Sequence, residues 1–205
     1  MTTTVKRKKF TKVPVEIPIS DLSPLNINCG STKCEDGLHC FRMTKKQIEK
    51  AGSAGVCKTC GVNLINWDRV QKQNPRDAEF IFKELKNELI RHVFWHMPID
   101  IKDIERALKR GTSAIDARIV HRLTNIIGIP KPFRNGFTPY KGDIIYYAQH
   151  ATATCCRRCM EYWYDIPMGR QLTNEEISFS KELITLYLKE RLPQLYTTQL
   201  YGNIK

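Results

Sequence analysis

The chain has 205 residues, 41% of them hydrophobic and 26% charged, enough for one large or two small domains whose core needs no covalent staples. No run approaches the ~18 apolar residues of a membrane-spanning helix, and no apolar segment follows the basic start at Lys6, Arg7, Lys8, Lys9 and Lys12, so neither a membrane partner nor a secretory signal is expected and the location is cytoplasmic. The excess of 33 Lys and Arg over 21 Asp and Glu gives a net charge of +12, which favours a polyanionic partner, nucleic acid first, through release of counterions from phosphates.

In chain order, residues 1–23 read as a basic N-terminal arm in which Val13, Val15, Ile17 and Ile19 alternate with a period of two, as in an edge strand. Residues 24–75 are rich in Cys, Gly and Asn and are expected to form a zinc-knuckle module. It contains one short helix, opened by Thr44 and Gln47 as a capping box and closed by Gly52. A long helix is predicted from Asp77 to His96, ended by Pro98, with Ile81, Leu85, Leu89, His92 and His96 along one stripe. Two shorter helices, from about Asp100 to Gly111 and from near Ser113 to Gly128, complete a helical region over 76–128. Residues 128–142, with Pro130, Pro132, Gly136, Pro139 and Gly142, form a linker, and DIIYYAQ at 143–149 is strand-like. A last helix opens at Thr173, with Glu176 three residues on, and stops at Pro193. Residues 129–205 thus carry a His/Cys cluster and a helix, and are expected to share one domain with 76–128. The fold class is mainly α with small β elements, with zinc-knuckle modules packed on a helical core.

Eight cysteines in a reducing compartment point to metal rather than to disulfides. Cys57-Lys-Thr-Cys60-Gly61 is a CxxCG knuckle, a spacing that lets two thiolates reach one ion while the glycine relieves the turn. Its tetrahedral set is expected to be Cys34, Cys40, Cys57 and Cys60, with Cys29 or His39 as substitutes. A second CxxC, Cys156 and Cys159, follows His150 and Cys155 and lacks two partners. His92 and His96, four apart on the predicted helix, present both imidazoles on one face and can supply them; His150 or Cys155 is the alternative completion, and His92 is otherwise a core histidine. Two zinc ions are therefore expected. Glu88, one turn before His92, is a candidate carboxylate ligand or base.

The strings GLHCFR (37–42), CxxCG (57–61), NWDRV (66–70), ELIRHVFWH (88–96) and QHATATCCRRCMEYW (149–163) resemble those of a bacterial family of small cysteine-rich proteins of unknown function. The resemblance implies a shared zinc-binding core and brings no activity with it. Where a Trp-His pair would follow the last cysteine, this chain has Trp163-Tyr164, so no third histidine ligand or catalytic group is placed there.

No HExxH, G-x-S-x-G, phosphate-cradling glycine loop or paired acidic motif is present, and no catalytic residue is assigned. The function expected is that of a zinc-binding protein that binds nucleic acid through a basic surface. Candidate contacts are Arg157, Arg158, Lys109, Arg110 and the Lys6 to Lys9 run, with Tyr146, Tyr147, Tyr162, Trp163 and Tyr164 available to stack on bases. The alternatives are a metal-dependent hydrolase or nuclease with Glu88 or His150 as base, and a zinc-stabilised subunit that docks a protein partner.

Overall fold

Local capping signals account for most helix boundaries in the computed structural model, which describes residues 27–201 and their side chains through residue 197. The basic arm expected at 1–23 lies outside the described residues. At Thr44 the capping box is complete: its hydroxyl accepts from the Gln47 backbone N–H, and the Gln47 side chain accepts from the Thr44 N–H at 2.8 Å. Helix α1 (Lys45–Ala51) follows and ends at Gly52. Asn66 caps the short α2 (Trp67–Val70).

The long helix expected from 77 to 96 is two helices, α3 (Ala78–Leu85) and α4 (Leu89–His96). Between them Glu88 turns extended, at φ −93° and ψ 127°. The cause is a tertiary pairing. The His39 N–H donates to the Asn87 carbonyl and the Leu89 N–H donates to the His39 carbonyl, each at 2.9 Å, and this bridge replaces helical bonding there.

The two helices expected between Asp100 and Gly128 lie within α5 (Ile101–His121), which is capped by Asp100 and interrupted at Gly111, whose non-helical φ of 76° and ψ of 165° suit a residue without a Cβ. A π-helical turn, Arg122–Ile127, extends it. The strand expected at 143–149 is instead a helix, α6 (Ile144–Ala151), opened by the Asp143 carboxylate accepting from the Ile145 N–H at 3.0 Å. Its apolar run is buried on nearly every side, at Ile144, Ile145, Tyr147, Ala148 and Ala151, and a short continuous apolar run does not separate buried strand from buried helix. Helix α7 (Arg157–Tyr164) follows the second cysteine cluster, and α8 (Asn174–Arg191) starts on a complete Thr173/Glu176 capping box. Pro193 lies between α8 and α9 (Gln194–Tyr201).

The architecture is mainly helical. Among the described residues the expected β elements reduce to two isolated bridges, Lys33 with Leu38 and His39 with Glu88. Helix α6 lies at the centre, packed on α4 and α8, while α5 closes over α6, α8 and α9. The cysteine-rich segment docks on this body through Trp163, which is fully buried with its ring 6.3 Å from Phe41 and 5.2 Å from Trp67. Burial of such side chains contributes roughly 1.5–3 kcal/mol each. No helix of the described residues is long and apolar enough to cross a membrane.

Candidate metal centres

The first centre gathers Cys34, His39, Cys57 and Cys60, with one ligand atom from each lying within 4.8 Å of the others. Cys34 Sγ is 3.7 Å from Cys57 Sγ, and Cys60 Sγ is 3.4 Å from His39 Nδ1. The knuckle closes as the sequence suggests: the Gly61 N–H donates to the Cys57 carbonyl at 2.8 Å, with Gly61 at a φ of 74°. Burial opposes ionisation of Cys57, but hydrogen bonding to His39 and to the backbone at Cys60, Cys40 and Thr59 brings its thiol down to about 6.

Cys40, named with this set from spacing, is placed elsewhere. Its Sγ donates to the Cys29 carbonyl at 3.2 Å, and burial, then Glu88, pushes its thiol up to about 12. Side chains alternate along an extended segment. His39 and Cys40 therefore face opposite ways, and the bridge to Glu88 fixes His39 as the one that joins the centre.

The second centre gathers Cys155, Cys156 and Cys159 within 4.8 Å. The neighbouring thiols of Cys155, Cys156 and then Cys29 hold the Cys159 thiol well below its ordinary value. Cys29 is near enough to act on Cys159 but is not one of the three that lie within 4.8 Å of one another. The string HATATCC is a buried scaffold for it. Thr138 Oγ1 donates to the Cys155 carbonyl at 2.8 Å, Arg122 donates to Thr138 Oγ1 at 3.0 Å and to Gln149 Oε1 at 2.9 Å, and the Tyr164 hydroxyl donates to the Thr152 carbonyl at 2.5 Å.

His92 and His96 belong to neither group. Their rings lie 4.1 Å apart, both His92 nitrogens are buried without a hydrogen-bond partner, and burial, then His96, lowers His92 to about 4. The residue that α4 points at the cluster is their neighbour Arg91. Its Nη2 donates to Cys159 Sγ at 3.1 Å, its Nη1 to the His150 carbonyl at 2.5 Å and towards Cys155 Sγ at 3.6 Å, and its Nε to Glu88 Oε2 at 3.0 Å. The same Glu88 oxygen accepts from Trp163 Nε1 at 2.9 Å. Burial raises the Glu88 carboxyl. Burial would lower Arg91, but the thiols of Cys159 and Cys155 hold it well above its ordinary value. Sequence reasoning missed this arginine; an arginine three residues after a glutamate inside the apolar string ELIRHVFWH was the available signal.

His150 is also buried. Its Nε2 is 3.0 Å from the Thr138 carbonyl, and its ring lies against Phe94 and Tyr140 at 4.6 and 4.8 Å. Of the basic candidates, Arg157 turns inward, with Nη2 donating to the carbonyls of Pro167 and Arg170, and Arg110 lies 3.7 Å from Asp143. Arg158 is exposed. Tyr147, Trp163 and Tyr164 are core residues, and Arg122 covers the ring of Tyr146 at 4.6 Å. A cavity of about 820 Å³ opens above the second centre, with Cys29 and Cys156 in its floor and Arg42, Lys58, Arg134 and Arg158 around it.

A helical chain that collects six of its eight cysteines and one histidine into two groups, each of which could hold a metal ion, has the arrangement of a cysteine-rich metal-site protein. A family model described as Domain of unknown function (DUF4186) matches residues 79–189, over half of the chain, and the chain belongs to that family. The matched span holds Glu88, Arg91, Cys155, Cys156 and Cys159, whereas Cys29 and the whole first centre precede it. No solved structure matches the chain.

Proposed function

We propose that this is a cytoplasmic protein that holds two structural zinc ions and binds nucleic acid through the basic surface beside the second one. Zinc–sulfur bonds of about 2.3 Å in a tetrahedron put neighbouring sulfurs about 3.8 Å apart, and the 3.7 Å between Cys34 and Cys57 suits one ion. With Cys29 beside it, the second group of three offers up to four thiols, a number that suits a closed structural site. The candidate bases of a hydrolase are engaged elsewhere, Glu88 by Arg91 and Trp163 and His150 by the Thr138 carbonyl.

The observation that carries the nucleic-acid reading is the set of four cations, Arg42, Lys58, Arg134 and Arg158, around one cavity without an ion pair to any of them among the described residues. Cations held in a concave surface without acidic partners attract phosphates and release their counterions. Elemental analysis of the purified chain is expected to find two zinc ions, and a mobility-shift titration is expected to show affinity falling with salt, with a log–log slope of about −3 to −4 for four phosphate contacts. Fewer than two ions, or no shifted complex at low salt, refutes the corresponding half of the reading.

A further inference from the structure

Resting on the nucleic-acid reading, we infer that the cavity over the second metal centre takes an unpaired nucleotide of a single strand, with its base on the aromatic wall and its phosphates on the surrounding cations. At about 820 Å³ the cavity has the size of a small-molecule pocket, room for a nucleotide and part of its neighbour but not for a double helix. Its charge is one-sided: Arg42, Lys58, Arg134 and Arg158 face a single acid, Glu161, whose Oε1 already accepts from the Met168 N–H at 3.3 Å.

The opposite chemistry lines the same space. Phe137 is 43% exposed, a large ring left open to solvent, and it meets Tyr140 edge-on at 6.0 Å while the Arg134 guanidinium covers it at 5.0 Å. Tyr162 completes the wall, with a buried hydroxyl that has no hydrogen-bond partner. Aromatic faces beside guanidinium groups are the platform on which unpaired bases stack, and a paired base offers no free face to them. Asn135 lines the same space, as do Asn28 and Gln47, whose amide oxygens accept from Gly30 and Thr44 and leave their amide NH2 groups as donors for base edges.

The backbone supports the same assignment. Arg134 and Asn135 sit at φ 50° and 59°, a left-handed conformation that side chains rarely adopt, and so hold Arg134 and Phe137 at the rim. Strain of this kind concentrates where a ligand is clamped. The walls come from distant segments that the cysteines bring to one cavity: Cys29 carries the segment with Asn28 and Gly30, and Cys156 the segment with Arg158.

The test uses the full metal-loaded chain and fluorescence anisotropy with a labelled oligothymidylate of about ten nucleotides and a blunt duplex, each over a salt series. The single strand is expected to bind about tenfold tighter than the duplex. Arg134→Gln with Arg158→Gln, both at exposed positions, should weaken it by about tenfold and reduce the salt slope by about 1.4. Phe137→Ala should weaken it to a similar degree with the slope unchanged. Lys83→Gln with Lys102→Gln, exposed cations on α3 and α5 away from the cavity, should change it less than twofold. Metal content and melting temperature serve as the folding control for every variant. Preference for the duplex, or equal weakening by the Lys83/Lys102 pair, overturns the cavity assignment and leaves nucleic-acid binding standing. Wild-type protein that binds neither probe at low salt overturns both.

Discussion

Replacing Arg91 with methionine removes a buried charge while nearly preserving its volume. In the native chain the guanidinium is 1% exposed and serves Glu88, the His150 carbonyl and the sulfurs of Cys159 and Cys155. After the substitution the Glu88 carboxylate, also 1% exposed, keeps only the Trp163 N–H. Breaking a buried pair from one side costs about 3–5 kcal/mol, chiefly because the partner charge is left uncompensated. For a chain of this length that is a fall in melting temperature of roughly 6–20 °C. Equilibrium urea unfolding at saturating zinc, followed by tryptophan fluorescence, measures it. Because much of the loss belongs to the stranded carboxylate, Glu88→Gln added to Arg91→Met is expected to recover part of it, with a coupling of about 0.5–3 kcal/mol. A loss below about 1 kcal/mol in the single variant, or strict additivity in the double, would show that the pair does not act as a unit.

Cys29→Ser is expected to retain one zinc and Cys40→Ser both; two ions in the Cys29 variant would remove that residue from the second set. His92→Ala combined with His96→Ala is expected to keep both ions and lose only packing, and release of one ion would return these histidines to the ligand list. His150, lowered to about 4 by burial and then by Arg91, predicts acid sensitivity. The unfolded chain takes the proton first, near 6.5, so the stabilisation is complete above that value and is lost as pH falls towards 4. Between pH 7 and 5 the wild type should lose about 2 kcal/mol more than His150→Gln, measured by urea midpoints, and parallel profiles refute the assignment.

How much of this was legible from sequence follows from which interactions are local. The capping boxes at Thr44/Gln47 and Thr173/Glu176 and the CxxCG turn depend on neighbours within a few residues, and they appear as the sequence suggests. The strand-like reading of 143–149 failed because burial on nearly every side erases the periodicity that separates strand from helix. The ligand stripe on the long helix failed for a different reason. Its phase assumed an unbroken helix from 77 to 96, whereas the break depends on pairing with His39, almost fifty residues earlier, which no local pattern announces. The choice of His39 over Cys40 turns on the same pairing, since a shift of one residue reverses which side chain faces the centre.

That single pairing also explains how two centres drawn from distant segments come to share one frame. The position of His39 in the first group is set by its backbone bonds to Asn87 and Leu89. The residue between them, Glu88, holds Arg91 against the sulfurs of the second. On the other side of His39, Cys40 ties the two again: its carbonyl accepts from the Lys58 N–H inside the knuckle at 2.9 Å, and its thiol donates to the Cys29 carbonyl. A metal that binds only the folded chain adds its binding free energy to folding. With both centres anchored to one extended strip, that free energy cannot be assigned to the cysteine-rich segment or to the helical body alone. Cys40, buried and outside both groups, thereby has a structural reason to be a cysteine, because its weak S–H donor reaches the Cys29 carbonyl while its own carbonyl holds the knuckle.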